Sequence, residues 1–384
     1  MPPHKREHLN QDMVRALGRA VNMARDNDVD AILLPGDAWD DESVSLATAA
    51  QFFDVLAKAA PIPVIIAPGN HDPYHVFSFY NAAYYQSRTG RPHPDNVFIF
   101  NTSDIRPMHV PTLPGVTFYG CCFTENRPRS ERILRGVKPD DTDGLHILLL
   151  HGSQDDIVAP DPDAMATAPF SREELLACGF DYTALGHYHR YSELRDDSGR
   201  IRAAYGGIPV ARGLDETEDH RVILGEVEPG GIRPDNGWLA EYMDVRHVKR
   251  ITVDIDSSVL SAQELERRIE AELHNSGTTV DDMVYVMLRG YTHPEIESFS
   301  VDPQWRETRC FHLVIDQSGL MPDYDDVDIS TDAEKHVEGR FNQKMLELIE
   351  QAGDDEKRVR QLRLARSLGL DALRGREVKP RNVY

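Results

Sequence analysis

The chain has 384 residues and is strongly acidic, with 64 Asp and Glu against 42 Lys and Arg for a formal net charge of −22. That balance argues that this chain alone binds long DNA weakly, because phosphate contacts supply most of such affinity, and leaves DNA open where a metal cluster, a local patch or a basic partner supplies the contacts. Four cysteines, two of them adjacent, exclude a disulfide framework and a thiolate metal cluster, and no apolar run approaches the ~20 residues a membrane helix needs.

Hydrophobic content of 40% with 28% charged residues is ordinary for a globular protein, and the length allows two to three domains. No signal-peptide pattern is visible at the start, so a cytoplasmic protein is the expectation. Residues 1–28 place Met13, Leu17, Ala20, Val21 and Ala24 at helical spacing on one face. His4 and His8 lie one turn apart there and, with Asp12, could lend metal ligands, although solvated residues in a fraying end is the blander account.

Four apolar runs then stop abruptly at metal-ligating side chains. Ala31-Ile32-Leu33-Leu34 leads into Gly36-Asp37-Ala38-Trp39-Asp40, and Ile62-Pro63-Val64-Ile65-Ile66-Ala67 leads into Gly69-Asn70-His71-Asp72, with a helix expected over 44–59. Ile147-Leu148-Leu149-Leu150 leads into His151-Gly152, and Tyr182-Thr183-Ala184-Leu185 into Gly186-His187-Tyr188-His189. Short apolar runs bounded by turn residues read as strands buried on both faces. Ligands of open α/β sheets gather beyond the carboxyl ends of such strands.

Between these runs, Tyr74, Phe77, Phe79, Tyr80, Tyr84 and Tyr85 either pack a loop or stack bases of a single strand. Residues 97–101 and 115–121 read as strands of a second sheet, and the locally basic 125–138 either touches phosphate or, more blandly, is the solvated face of a helix. Ser171 with Glu174 marks the capping box of a helix over 171–178. His146 stands five residues before His151, so strand alternation turns it to the opposite face. Residues 200–205 and 222–227 read as closing strands, and Pro229-Gly230-Gly231 as a boundary. Beyond it come strands at 248–255, 283–288 and 311–315, an amphipathic helix over 261–273, and charged helices over 332–352 and 355–373.

The set GDxxD, GNHD, a lone His after a strand and GHxH resembles the calcineurin-like metallophosphoesterase superfamily. Tyr205-Gly206-Gly207-Ile208-Pro209 and Gly213-Leu214-Asp215-Glu216-Thr217 resemble a stretch of its DNA-repair exonuclease branch, the SbcD-like nuclease subunits, with Gly-Ile where Gly-Ser is usual. The resemblance implies an α/β fold, a two-sheet αββα sandwich over 1–230, with a smaller α+β capping domain over 231–320 and a helical tail over 321–384.

It implies that Asp37, Asn70, His151, His187 and His189 hold divalent metal, Mn2+ first with Fe or Zn2+ as alternatives. Asp37 would bridge two ions, His71 would protonate the leaving oxygen, Asp72 would orient His71, and Asp40 would support the ligands from behind. The family's opening Asp-x-His motif is absent, which leaves four ligands for one ion and only Asp37 and His189 for the other. The expectation is that the biological chain begins upstream with a strand that supplies this motif.

The implied activity is hydrolysis of DNA with an SbcC-like ATPase partner, and the apolar stripe of the tail either docks that partner or packs on its own domain; a homodimer is also open, and no membrane is involved. A phosphoesterase for nucleotides or other small substrates, and a non-catalytic assembly subunit, are the competing readings.

Overall fold

The computed structural model describes residues 3–40, 43–140, 143–157, 166–217, 220–233, 239–242, 247–293, 296, 298–324 and 336–376. The chain divides into two compact units, residues 1–212 with 218–245 and residues 213–217 with 246–384.

The apolar stripe at the start becomes α1 (Pro3–Asp26), with Ala16 and Val21 buried. There follow β1 (Ile32–Leu34), α2 (Leu46–Ala57), β2 (Val64–Ile66), α3 (Ala82–Thr89) and β3 (Val97–Ile99). The chain continues through β4 (Arg106–His109), β5 (Val116–Gly120), β6 (Leu145–His151), α4 (Arg172–Cys178), β7 (Tyr182–Gly186), β8 (Ser192–Arg195) and β9 (Ile201–Tyr205). A hairpin of β10 (Arg221–Leu224) and β11 (Leu239–Tyr242) ends the unit.

β1, β2 and β3 form a parallel sheet in that order, and β4-β5-β6-β7-β9-β8 form a second sheet, parallel inside and antiparallel at both edges. The strand expected at 97–101 therefore belongs to the first sheet, where Val97–Ile99 pairs with Val64–Ile66. A short apolar strand carries no mark of which sheet it joins; the helical crossover through α3 returns it beside β2.

Three buried clusters explain the layers. Val64 and Ile66 face Val21 of α1 and Phe52, Phe53 and Leu56 of α2. Ile65, on the opposite face, meets Phe118, Ile147, Leu149 and Ala184 of the second sheet. Leu148, Leu150 and Leu185 then face Leu175 of α4 on the far side. Helix, sheet, sheet, helix is the expected sandwich, and burial on both faces is why the strands are continuously apolar. His146 shares the outer face with Tyr119, as alternation requires. All four cysteines are buried and unbridged, and burial pushes the thiols of Cys121 and Cys178 up to about 11.

Residues 125–138 form no helix. Their arginines reach other segments: Arg132 Nε donates to Glu174 at 2.9 Å, Arg132 Nη2 to Asp155 at 2.6 Å, and Arg135 Nε to Glu174 at 3.2 Å. Glu174 also closes the capping box, accepting from the Ser171 N–H at 3.0 Å. Arg132, then the Ser171 N–H, holds the Glu174 carboxyl down at about 2, against an ordinary 4.5. A depressed acid stabilises the fold fully above the ordinary value, and that stabilisation fades as pH falls toward the folded one. Glu174→Gln should therefore lower the unfolding temperature at neutral pH and remove part of the wild-type loss between pH 4.5 and 2. Thermal unfolding across that range checks it; parallel pH curves for the two proteins would refute it.

In the second unit, β12 (Val248–Ile255), β13 (Met283–Thr292) and β14 (His312–Pro322) make a parallel sheet, joined through α5 (Ala262–Asn275) and α6 (Pro303–Arg309). Val253, Ile255, Val286, Leu288 and Leu313 pack on Leu265, Ile269 and Leu273 of α5, whose N-cap is Ser261.

The tail is a pair of helices, α7 (Val337–Ala352) and α8 (Glu356–Leu373). A buried polar network binds α8 to the end of β14. Arg366 Nη2 donates to the Tyr324 carbonyl at 3.0 Å and Nε to Asn342 of α7 at 2.6 Å, and the Tyr324 hydroxyl donates to Asp371 at 2.6 Å. Arg366→Ala should cost roughly 1–3 kcal/mol for each buried group left unpaired. Urea unfolding of the full chain reads this directly; an unchanged midpoint would mean that the network does not secure the tail.

Candidate metal centre

The motif residues sit where their strands end. β6 ends on His151, β7 ends one residue before His187, and the turns after β1 and β2 carry Asp37 and Asn70. One ligand atom each of Asp37, His151 and His187 lies within 4.8 Å of the others. His151 Nε2 is 3.2 Å from Asp37 Oδ2 and 3.1 Å from Asn70 Oδ1.

The His151 ring shows what this arrangement wants at its centre. Its Nδ1 lies 2.9 Å from the Pro35 carbonyl, which can only accept, so Nδ1 carries the proton. In a neutral ring Nε2 then presents a lone pair toward two acceptor oxygens. A positive charge between these atoms resolves that conflict. Carboxylate and amide oxygens with two imidazoles fit a divalent ion of the Mn2+, Fe or Zn2+ type.

The titration behaviour agrees. Burial opposes charge on His151, but the Asp37 carboxylate outweighs it and raises the ring's pKa. Burial would raise Asp37, yet the charges of His151 and His71 hold it below the usual carboxylate value. Burial, then the His151 charge, pushes His187 down to about 4, so its ring is a neutral donor at physiological pH.

The local chain is bent to make this approach. Asp37 has φ +55° and His187 φ +110°, conformations that cost about 1–3 kcal/mol and gather at functional sites. A Cβ on Gly186 would overlap the Pro35 carbonyl oxygen, so only glycine lets β7 close on the first sheet.

Asp72 does something other than orient His71. It is 0% exposed and both its oxygens are used elsewhere. Oδ1 accepts from the Asp37 N–H at 2.9 Å and the Gly69 N–H at 2.6 Å; Oδ2 accepts from the Ala38 N–H at 2.7 Å and the Tyr80 hydroxyl at 2.7 Å. Asp72 thus clamps the two ligand turns together. Burial, then the Asp37 charge, pushes its carboxyl up to about 7. His71 is exposed at the mouth, tied in by its own N–H, which donates to Asp37 Oδ1 at 2.9 Å.

Residues 8–191 match the sequence model of the family described as Calcineurin-like phosphoesterase. Over that stretch the chain is similar to a calcineurin-like phosphoesterase domain. Proteins of the metallophosphoesterase superfamily are hydrolases that use divalent metals. The chain is also similar to the uncharacterized metallophosphoesterase YhaO of Bacillus subtilis (strain 168), 27% identical over 255 residues, 64% of this chain and 58% of that protein. The chain therefore spans under two thirds of that relative's length. No helix among the described residues is long and apolar enough to cross a membrane.

Around the phosphoesterase centre the remaining candidates separate. His189 is exposed and outside the converging group; its carbonyl accepts from the Ile208 N–H at 3.1 Å. A Cβ on Gly207 would press on that same carbonyl, so the Tyr205–Ile208 segment sets the His189 turn. Asp40 sits at the turn toward α2, its carbonyl accepting from the Val44 N–H at 2.9 Å. Asp12 is buried on α1 against Arg15, His8 is exposed, and neither joins the group.

Two residues named in the sequence have supporting roles that it did not reveal. Tyr80 holds Asp72, and its ring stacks on Trp39 at 4.3 Å. Tyr205 donates its hydroxyl to the Gly152 carbonyl at 2.7 Å, bracing the residue after His151. Nothing but their closeness to the motifs could have marked them.

Proposed function

We propose that this chain is a metal-dependent phosphodiesterase that hydrolyses DNA phosphodiester bonds in the cytoplasm, a repair exonuclease of the SbcD-like kind working with an SbcC-like ATPase and with Mn2+ as its resident ion. The observation that carries the phosphodiesterase part is the convergence of Asp37, Asn70, His151 and His187 beside the exposed His71. A divalent ion held there supplies Lewis-acid polarisation of the phosphoryl oxygens and offsets the charge that repels a nucleophile.

The chain's own residues do the rest. Pro35 fixes the His151 tautomer, and Asp72 with Tyr80 fixes the two ligand turns. Phe123 sets its ring edge-on 5.7 Å from His151, with the Arg129 guanidinium 5.7 Å above Phe123, replacing water on that side. His71 stands free of the clamp, where its ring can hand a proton to the leaving oxygen.

The DNA part draws support from the Tyr205–Ile208 segment, the stretch that resembles the exonuclease branch and that sets the His189 turn. The net charge of −22 favours the second reading, a nucleotide or other small phosphorylated substrate, unless a basic partner supplies the DNA contacts. Cleavage assays on linear duplex and on mononucleotides, with and without the ATPase and across salt concentrations, separate the two. Rapid mononucleotide hydrolysis with the duplex untouched even beside the ATPase would end the DNA reading.

A further inference from the structure

The structure sorts the aromatic residues after Asp72 into two groups. Tyr80 and Tyr85 are buried among Trp39 and Phe53 and serve the core. Phe77 and Val76, by contrast, are 69% and 68% exposed.

That exposure comes on an ordered loop. The Phe77 N–H donates to His75 Nδ1 at 3.2 Å, the Ser78 N–H to the His75 carbonyl at 3.0 Å, and the Tyr80 N–H to the buried Ser78 hydroxyl at 3.2 Å. Both ends of the loop are fixed at the metal centre, since Asp72 clamps the ligand turns and Tyr80 donates to Asp72. Phe77 is five residues from Asp72, so full extension places it at most roughly 17 Å away, and a loop that returns to its start keeps it nearer.

Beyond Phe77 the surface keeps one chemistry. The Phe77 ring meets the half-buried Tyr84 ring edge-on at 5.9 Å, and the Arg88 guanidinium lies 5.9 Å over the Tyr84 ring. An exposed ring, a second ring against it and a cation over that second ring suit a nucleobase followed by its phosphate, because bases stack on aromatic faces whatever their sequence and arginine adds charge. Stacking also needs no broad basic face, which matches a protein of net charge −22.

We propose that Phe77, with Tyr84 and Arg88 behind it, is a stacking platform for an unpaired base of a single-stranded nucleic acid whose phosphodiester enters the metal centre. This rests on the phosphodiesterase reading above and narrows its substrate to strands with unpaired bases near the scissile bond.

The test compares the full, metal-loaded chain with Phe77→Ala and Phe77→Trp on a short oligothymidylate and on an all-abasic oligomer of the same length. In the wild type, KM for the base-bearing strand should be the lower. Phe77→Ala should shrink that discrimination by about 5- to 150-fold, the factor that corresponds to one stacked base. Phe77→Trp should keep it. Unchanged discrimination in Phe77→Ala would overturn the platform. Hydrolysis of a simple aryl phosphodiester with neither oligomer cut would also overturn it while leaving the phosphodiesterase reading intact. If no phosphodiester is cut, that reading falls instead, and equilibrium anisotropy of labelled oligothymidylate decides the platform: weaker binding to Phe77→Ala supports it and equal affinity overturns it.

Discussion

Asp37→Ala should abolish tight binding of a divalent ion and, with it, the turnover proposed for this chain. Asp37 lends the carboxylate that faces His151 Nε2 at 3.2 Å and lies within 4.8 Å of the His187 donor. Its loss removes the negative charge that makes a cation welcome beside two imidazoles. The effect should exceed the 10–100-fold loss of affinity that follows removal of a mere supporting partner. The clamp should survive, because Asp72 grips Asp37 through its backbone N–H, which alanine keeps. Elemental analysis after dialysis, with circular dichroism as the control for folding, reads the result. We expect about one ion per wild-type chain, from the four converging ligands, and none in the variant. Undiminished metal in Asp37→Ala, or two stoichiometric ions in the wild type, would overturn this ligand set.

His71→Ala should instead separate chemistry from metal. The His71 ring is exposed, and the residue's tie to the centre is its backbone N–H donating to Asp37 Oδ1, which alanine retains. Metal content should therefore match the wild type. A positioned general acid contributes ~10²–10⁴-fold, so turnover on an aryl phosphodiester should fall by that range. The loss should be smaller for a substrate with a more acidic leaving group, which needs no proton. Wild-type rates in His71→Ala would remove the ring from the mechanism.

Much of this centre was legible because each ligand follows an apolar run whose burial on both faces makes it a strand, so the sequence spaces out the strand ends. Asp37, Asn70, His151 and His187 were found this way. Asp72 was found but its role was not: adjacency to His71 pointed to that ring, whereas its carboxylate reaches backbone donors 34 and 35 residues away. Hydrogen bonds to backbone amides leave no trace in residue type. Tyr80 was hidden for a related reason, since a buried tyrosine among aromatics reads as core. β4 and β8 went unread because edge strands such as Arg106–His109 and Ser192–Arg195 carry polar residues and lose the apolar signature. The supposed helix face at 125–138 failed because charge alone does not make a helix, and its arginines reach Glu174 and Asp155 instead of solvent.

The contacts that close the centre differ greatly in reach along the chain. Asp72 lies 35 residues from Asp37, while His151 lies 116 from Pro35. Closing a longer loop costs only ~0.6 kcal/mol more per doubling of length, but contacts of long reach slow folding. The paired turns can therefore form as soon as β2 docks beside β1. The four-residue cluster for the cation exists only after the second sheet has closed over the first, since Asp37 and Asn70 follow strands of one sheet and His151 and His187 stand at strand ends of the other. Tight binding of an ion by all four residues therefore belongs to the finished sandwich. A chain caught before the sheets meet would hold its helices yet bind no metal, which makes ion binding a readout of the last step in maturation.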